Sequence, residues 1–372
     1  MIKVGVTGSN GFIGWHLCRT IELDTNKFEL IEFKRDWFNE NINLDLFVSK
    51  CDIIVHLAGL NRHSEERAIY DTNVKLAVKL VESFKRIGFK GQLIFSSSIQ
   101  EERNNTFGNS KKVARELFAN WASQSNTIFH GLIIPNVFGA FGLPFYNSVI
   151  STFCHQLVNN ETPKIETDAI LNLIYINDLV KKTIDLFHTE TNDSVTIAHT
   201  DTYKVSEILE LLINFKNKYL ENGQIPSLNN QFEINLFNTF RSYFNLKSYF
   251  PVKYKNNIDE RGNFVEIIRL ETGGQVSFST TRKEITRGNH FHTRRIERFC
   301  VLEGEASVKI RKVGTDEIKE YKIKGTDSKV IDMPVYYTHN LENIGNTELI
   351  CCFWMNDILK EQKIDDTYFE KV

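Results

Sequence analysis

Met1-Ile-Lys-Val-Gly-Val-Thr7 followed by Gly8-Ser-Asn-Gly11-Phe12-Ile13-Gly14 is the stretch that decides how the first part of this chain folds. Apolar, partly β-branched residues run to Thr7 and read as a buried strand. Three glycines then arrive just as the apolar pattern changes to the helical period of residues 13–22. In that strand–turn–helix context Gly8 permits a tight turn, Gly11 lets backbone N–H groups approach a pyrophosphate, and Gly14 lets the helix pack close to the strand. The amides that open the helix, Phe12 and Ile13 among them, add partial positive charge for phosphates. Gly8, Gly11, Phe12, Ile13 and Gly14 are therefore dinucleotide-binding candidates.

Further along, short apolar runs at 28–33, 53–57, 92–96 and 128–134 alternate with amphipathic segments at 70–86 and 111–123. That alternation predicts an α/β doubly wound parallel sheet, a Rossmann arrangement. From about residue 140 to 246 the pattern is mostly helical (148–157, 177–188, 205–219, 233–243), as in a substrate-binding part built onto a nucleotide domain. Residues 1–246 are read as this first domain, and 247–257, with Pro251 and two asparagines, as a linker. Residues 258–372 change to period two with frequent turns, with strands expected at 264–268, 275–279, 298–302, 306–313, 318–323, 329–333 and 348–354. Short strands at that spacing predict an all-β sandwich or barrel.

The β region carries His290-Phe-His292, then Glu297, and His339 further on. Two histidines two apart on a strand point to one face. Three imidazoles and a carboxylate suit one mononuclear divalent metal such as zinc, iron, manganese or nickel. In the first domain, Lys34 and Arg35 follow the second expected strand, where an NAD-preferring protein places an acidic residue against the ribose. A guanidinium at that point can pair with a 2′-phosphate, so NADP(H) is the expected cofactor.

Composition is that of an ordinary globular chain: 372 residues, 41% hydrophobic, 25% charged, net charge −2. That balance gives no footprint for nucleic acid or an anionic membrane. Cys18, Cys51, Cys154, Cys300, Cys351 and Cys352 form no C-x-x-C pair and read as reduced core residues. There is no signal-peptide pattern and no apolar run near the ~18 residues of a membrane helix, so a cytoplasmic protein is expected.

Gly8–Gly14, Leu57-Ala58-Gly59 after a strand, and Ser96-Ser97-Ser98 closing another resemble the extended short-chain dehydrogenase/reductase family. That resemblance implies cofactor contacts at Leu57, Ala58 and Gly59, a serine (Ser97 or Ser98) that orients a carbonyl, a tyrosine that transfers a proton, and a lysine that lowers the tyrosine's pKa. The tyrosine–lysine motif falls on Phe107-Gly-Asn-Ser-Lys111, so Lys111 is present and Phe107 stands where the tyrosine belongs. Phenylalanine cannot give a proton, and a positioned acid contributes roughly 10²–10⁴ in rate.

Gly288-x-His290-x-His292, Glu297 and Gly304, then Pro334 and His339, resemble the two motifs of the cupin family, which implies a small β-barrel with zinc as the expected ion. Both halves together, with Val55-His-Leu-Ala-Gly59, Ser96-Ser-Ser-Ile-Gln100, Tyr146-Asn-Ser-Val-Ile150, Asp259-Glu-Arg-Gly262 and Asp366-Thr-Tyr-Phe369, are similar to the CapF-type two-domain enzymes of capsular polysaccharide synthesis. The resemblance implies a UDP-4-keto-6-deoxy-N-acetylhexosamine substrate, metal-dependent epimerisation of carbon 3 in the cupin, NADPH-dependent reduction of the 4-keto group in the Rossmann domain, and a homodimer. Phe107 leaves open two other readings: an epimerase whose Rossmann domain binds nucleotide without reducing, and a non-enzymatic NADP sensor or scaffold.

Overall fold

The computed structural model describes residues 1–189, 191–249, 251–253, 255–356 and 367–372. The chain divides into two compact units, Met1–Ile213 with Asn230–Phe244, and Asn214–Asn229 with Asn245–Val372. Residues 214–229 thus belong with the second unit although the chain returns to the first after them.

In the first unit the strands are β1 (Ile2–Thr7), β2 (Phe28–Ile31), β3 (Ile53–His56), β4 (Gln92–Ser98), β5 (Phe129–Ile134) and β8 (Asp193–Thr196), in the order β2-β1-β3-β4-β5-β8. Every pairing is parallel. Such a sheet needs cover on both faces, which is why β3 is buried at every position. One face packs Val4, Val6, Ile53, Val55 and Ile94 against Leu17 and Ile21 of α1 (Phe12–Ile21) and Leu179 of α6 (Ile176–Asp185). The other face packs Ile54, Leu93 and Phe95 against α2 (Asn41–Ser49), α3 (Glu66–Ile87) and α4 (Thr106–Ser125). This is the doubly wound arrangement expected from the alternating pattern. Helix α2 was not among the expected elements, since Leu44, Phe47 and Val48 supply its whole buried face. The stretch read as mostly helical also holds a three-stranded sheet of β6 (Asn136–Phe138), β7 (Ile170–Tyr175) and β9 (Asp201–Lys204), beside α5 (Val149–Val158), α7 (Val205–Phe215) and α8 (Gln231–Arg241).

The second unit opens with β10 (Gln224–Ile225) and the single turn α9 (Leu246–Tyr249). Its strands are β11 (Asn256–Asp259), β12 (Gly262–Leu270), β13 (Gln275–Thr281), β14 (Thr286–Phe291), β15 (Glu297–Glu303), β16 (Glu305–Lys312), β17 (Ile318–Lys324), β18 (Val330–Met333), β19 (Tyr337–Asn343), β20 (Leu349–Met355) and β21 (Tyr368–Phe369). One sheet runs β10-β12-β13-β20-β15-β18 with β11 on β12, and the other runs β17-β16-β19-β14-β21. Phe299, Val301, Leu349 and Cys351 from the first meet Ala306, Val308, Ile310, Ile323 and Leu341 from the second in one core. Two facing antiparallel sheets meet the cupin expectation. Strands β14 and β19 escaped the period-two pattern because they are polar, and a bulge between Gly288 and His290 breaks the alternation of β14.

Phe118 is fully buried in the first unit, with its ring tilted or edge-on to those of Phe95 (5.2 Å), His56 (5.5 Å) and Phe129 (6.1 Å). Phe118→Ala is expected to cost about 3–5 kcal/mol in denaturant unfolding; a loss under 1 kcal/mol would show that the aromatic layer collapses around the gap.

Candidate functional site

The glycine turn leaves no room for side chains. Gly8 has φ +78°, and a Cβ on it would stand 2.7 Å from Ala58 N; one on Gly14 would stand 2.1 Å from Gly8 O. Gly11 N donates to Gly8 O at 2.9 Å and then serves as the N-cap of α1 with no side chain over the first-turn amides. Those amides, from Phe12 and Ile13 onward, are open to an anion, which is the fit a pyrophosphate requires. Thr7 ties the turn to β3: its Oγ1 lies 2.6 Å from His56 Nδ1 and accepts from Ala58 N at 3.4 Å. Leu57, Ala58 and Gly59 therefore border the turn. Lys34 precedes the 3₁₀ turn Arg35–Asn39; its Nζ is 3.8 Å from Glu32 and 6.0 Å from the Trp37 ring. Arg35 is exposed and makes no ion pair among the described residues.

At the end of β4 the three serines differ. Ser97 donates to Glu101, whose carboxylate also holds Arg115 at 2.7 Å. Ser98 Oγ accepts from Gln100 N at 3.2 Å. Ser96 presents its carbonyl to Lys111 Nζ at 2.9 Å. Lys111 is buried on α4, with Nζ 4.9 Å from the Phe95 ring and 5.8 Å from the Phe107 ring. Burial pushes its pKa down to about 8, against a smaller opposite pull from Glu101. The second position of α4 is Phe107, placed by Asn105, whose Oδ1 accepts from Gly108 N at 2.7 Å. Ser98, Phe107 and Lys111 thus sit at one end of β4 and α4, while Ser97 is committed to an ion pair.

Two participants were not anticipated. Asn73 of α3 is buried; it accepts from Leu60 N at 2.7 Å and donates to Leu60 O at 3.0 Å and Ser110 Oγ at 2.9 Å, fixing the loop after Gly59 against α4. Its signal was an asparagine in line with Ile69, Ala77 and Leu80 on the apolar face of α3. The Glu101–Arg115 pair had no sequence signal beyond opposite charge.

In the second unit His290, His292, Glu297 and His339 bring one ligand atom each to within 4.8 Å of one another. His290 on β14 lies directly opposite His339 on β19, and their rings are 4.6 Å apart. The bulge after Gly288, which has φ +96°, and Asn289 at φ +60° re-aim the strand there. His292 falls just past β14 rather than on it, so its convergence with His290 comes from the turn and not from strand alternation. Glu297 opens β15, with its two oxygens 3.3 Å from His292 Nε2 and 3.3 Å from His339 Nε2. His339 Nδ1 faces Tyr337 O at 3.3 Å, which assigns the proton to Nδ1 and leaves Nε2 for a ligand. Burial raises the Glu297 carboxyl, but the imidazoles of His292 and His339 more than offset it and hold the pKa well below the usual range. His290 is pushed down to about 4 by burial and by His339. One carboxylate and three imidazole nitrogens gathered at one point are the donor set a borderline divalent cation takes, so the residues fit a metal.

Residues 4–198 match the NAD dependent epimerase/dehydratase family, and residues 257–368 match the polysaccharide biosynthesis C-terminal domain. The chain is 30% identical to UDP-2-acetamido-2,6-beta-L-arabino-hexul-4-ose reductase of Pseudomonas aeruginosa, over 99% of this chain and 98% of that one. It superposes on the crystal structure of the capsular polysaccharide assembling protein CapF from Staphylococcus aureus with TM-score 0.86 and 33% identity, each chain fully covered. RMD from Pseudomonas aeruginosa complexed with NADPH shares the fold of the first unit (TM-score 0.53, 19% identity, 58% of this chain and 83% of that one). A parallel sheet with a nucleotide turn, a second β unit, and relatives that match from end to end lead to one conclusion: the chain belongs to the NAD dependent epimerase/dehydratase family, as a two-unit sugar-nucleotide enzyme of the CapF type.

Proposed function

We propose that this chain acts on a UDP-linked 4-keto-6-deoxy-N-acetylhexosamine, epimerising carbon 3 in the second unit and reducing the 4-keto group with NADPH in the first. The observation that carries the reading is the gathering of His290, His292, Glu297 and His339 in a chain whose relative is named for a hexul-4-ose. One ketone serves both chemistries: it acidifies the hydrogen on the adjacent carbon 3, and it is itself reducible. A divalent cation, zinc by preference, would supply Lewis acidity to that ketone oxygen. The four side chains would hold it, with Tyr337 O orienting His339. Tyr336, Tyr337 and Asn340 lie near His339 in sequence and are candidates for handling the carbon-3 proton; Tyr336 N donates to His292 O at 2.7 Å.

For the first unit, the glycine turn would take the pyrophosphate, Arg35 the 2′-phosphate, and Ser98 the ketone oxygen. Lys111 would hold the ribose. Phe107 favours a second reading, in which this unit binds nucleotide without reducing it. The homodimer implied by the family resemblance belongs to the same proposal, as does the cytoplasmic location expected from the sequence pattern.

Incubating the protein with the UDP-4-keto sugar and NADPH in D₂O separates the readings. Deuterium entering at carbon 3 together with loss of absorbance at 340 nm is expected, whereas deuterium uptake without NADPH oxidation selects the non-reducing alternative. His290→Ala should abolish the exchange and leave NADPH affinity unchanged; loss of both would argue against independent sites. Arg35→Ala should weaken NADPH by on the order of 10–100-fold while sparing NADH, since a charge-assisted hydrogen bond contributes about 1.5–3 kcal/mol; equal effects on both dinucleotides would remove the 2′-phosphate assignment.

A further inference from the structure

We infer that Lys111 is itself the acid of the reduction, supplying the proton that a tyrosine in place of Phe107 would otherwise give. The inference rests on the reductive reading of the first unit and adds to it the residue that completes the reaction.

The geometry eliminates the other donors one at a time. Phe107 has no hydrogen to give. Ser97 is turned to Glu101 and held there. Ser98 keeps a free O–H beyond the bond it accepts from Gln100, which suits it to orient a carbonyl, but an aliphatic hydroxyl is a far weaker acid than an ammonium. Lys111 presents an ammonium with three N–H bonds, of which one goes to Ser96 O. The nearby rings of Phe95 and Phe107 accept no proton, and Glu101, the carboxylate that acts on Lys111 electrostatically, is already occupied by Arg115 on two sides. His56, on which Lys111 acts electrostatically, is kept neutral by burial, then by Lys111 itself, with its pKa pushed down to about 3. Lys111 is therefore a buried cation without an ion-pair partner among the described residues, beside the position that lacks its hydroxyl. Burial lowers its pKa to about 8, so it surrenders a proton near neutral pH.

The step balances. A dihydronicotinamide is oxidised as its C–H bond breaks and a new C–H bond forms at carbon 4 of the sugar. The carbonyl π electrons move onto the oxygen, which gains a proton as a Lys111 N–H bond breaks, directly or through one water. The neutral amine recovers its proton from solvent after the product leaves.

Lys111→Arg keeps the charge and the donors that hold a ribose, but a guanidinium does not release its proton. It is expected to lower NADPH oxidation by roughly 10²–10⁴-fold with little change in NADPH affinity by fluorescence titration. The double variant Phe107→Tyr with Lys111→Arg should regain most of that loss, because a phenol again supplies the proton. In the protein without cofactor, ¹³C-lysine NMR should show one lysine, absent from Lys111→Arg, titrating well below the rest. Should Lys111→Arg fail to fold, Lys111→Met assayed with added ethylammonium provides the second arm, with rescue expected. An equal loss on Lys111→Arg whether Phe107 is retained or replaced by Phe107→Tyr, while Phe107→Tyr is itself active, would overturn the assignment and leave Lys111 a positioning residue. If Phe107→Tyr binds NADPH and still oxidises none, the reductive reading falls and the assignment with it.

Discussion

A carboxylate buried between two imidazoles is the constraint around which the second unit is arranged. Removing an ion such as Glu297 from water costs several kcal/mol unless opposite charge or strong donors surround it. The protein brings four ligand side chains from two sheets and a turn to one point, and the register His290 against His339 fixes two of them on neighbouring strands. The bulge at Gly288 and the left-handed Asn289 are the local cost of that register. An apolar core of ten buried side chains on six strands lies in the same unit, and its Phe299 ring stands 5.4 Å from that of His339.

The first unit meets a different demand. Its sheet is parallel, and the ends of β1, β3 and β4 all leave at one edge, where Gly8, Leu57 and Ser98 follow in turn. Backbone amides, Thr7, Asn73 and the Glu101–Arg115 pair hold that edge together. Lys111 is buried there with a carbonyl oxygen as its hydrogen-bond partner among the described residues, so burial disfavours its charged form. The same feature keeps its proton loosely held.

Much of this was legible in the amino-acid sequence because it rests on local pattern. Glycines at 11 and 14 act through contacts within the turn, and the three imidazoles and the carboxylate announce themselves by residue type. What escaped notice depends on distant partners. His292 converges with His290 through a turn whose path no periodicity encodes, Ser97 is held by Glu101, whose carboxylate Arg115 of α4 fixes in turn, and Asn73 works through a loop thirteen residues away. Strands β14 and β19 stood outside the period-two pattern for a related reason: their polar side chains imitate a loop.

The pairing of β14 with β21 bears on how the protein matures. His290 has Phe369 as its partner on one side and His339 on the other, so the ligand strand gains both neighbours only after a long stretch of later chain has been synthesised. The glycine turn of the first unit uses residues 8 to 14 and 58, all made early. The glycine turn is therefore assembled from chain made early, whereas the His290–His339 cluster waits for strands made near the end of synthesis.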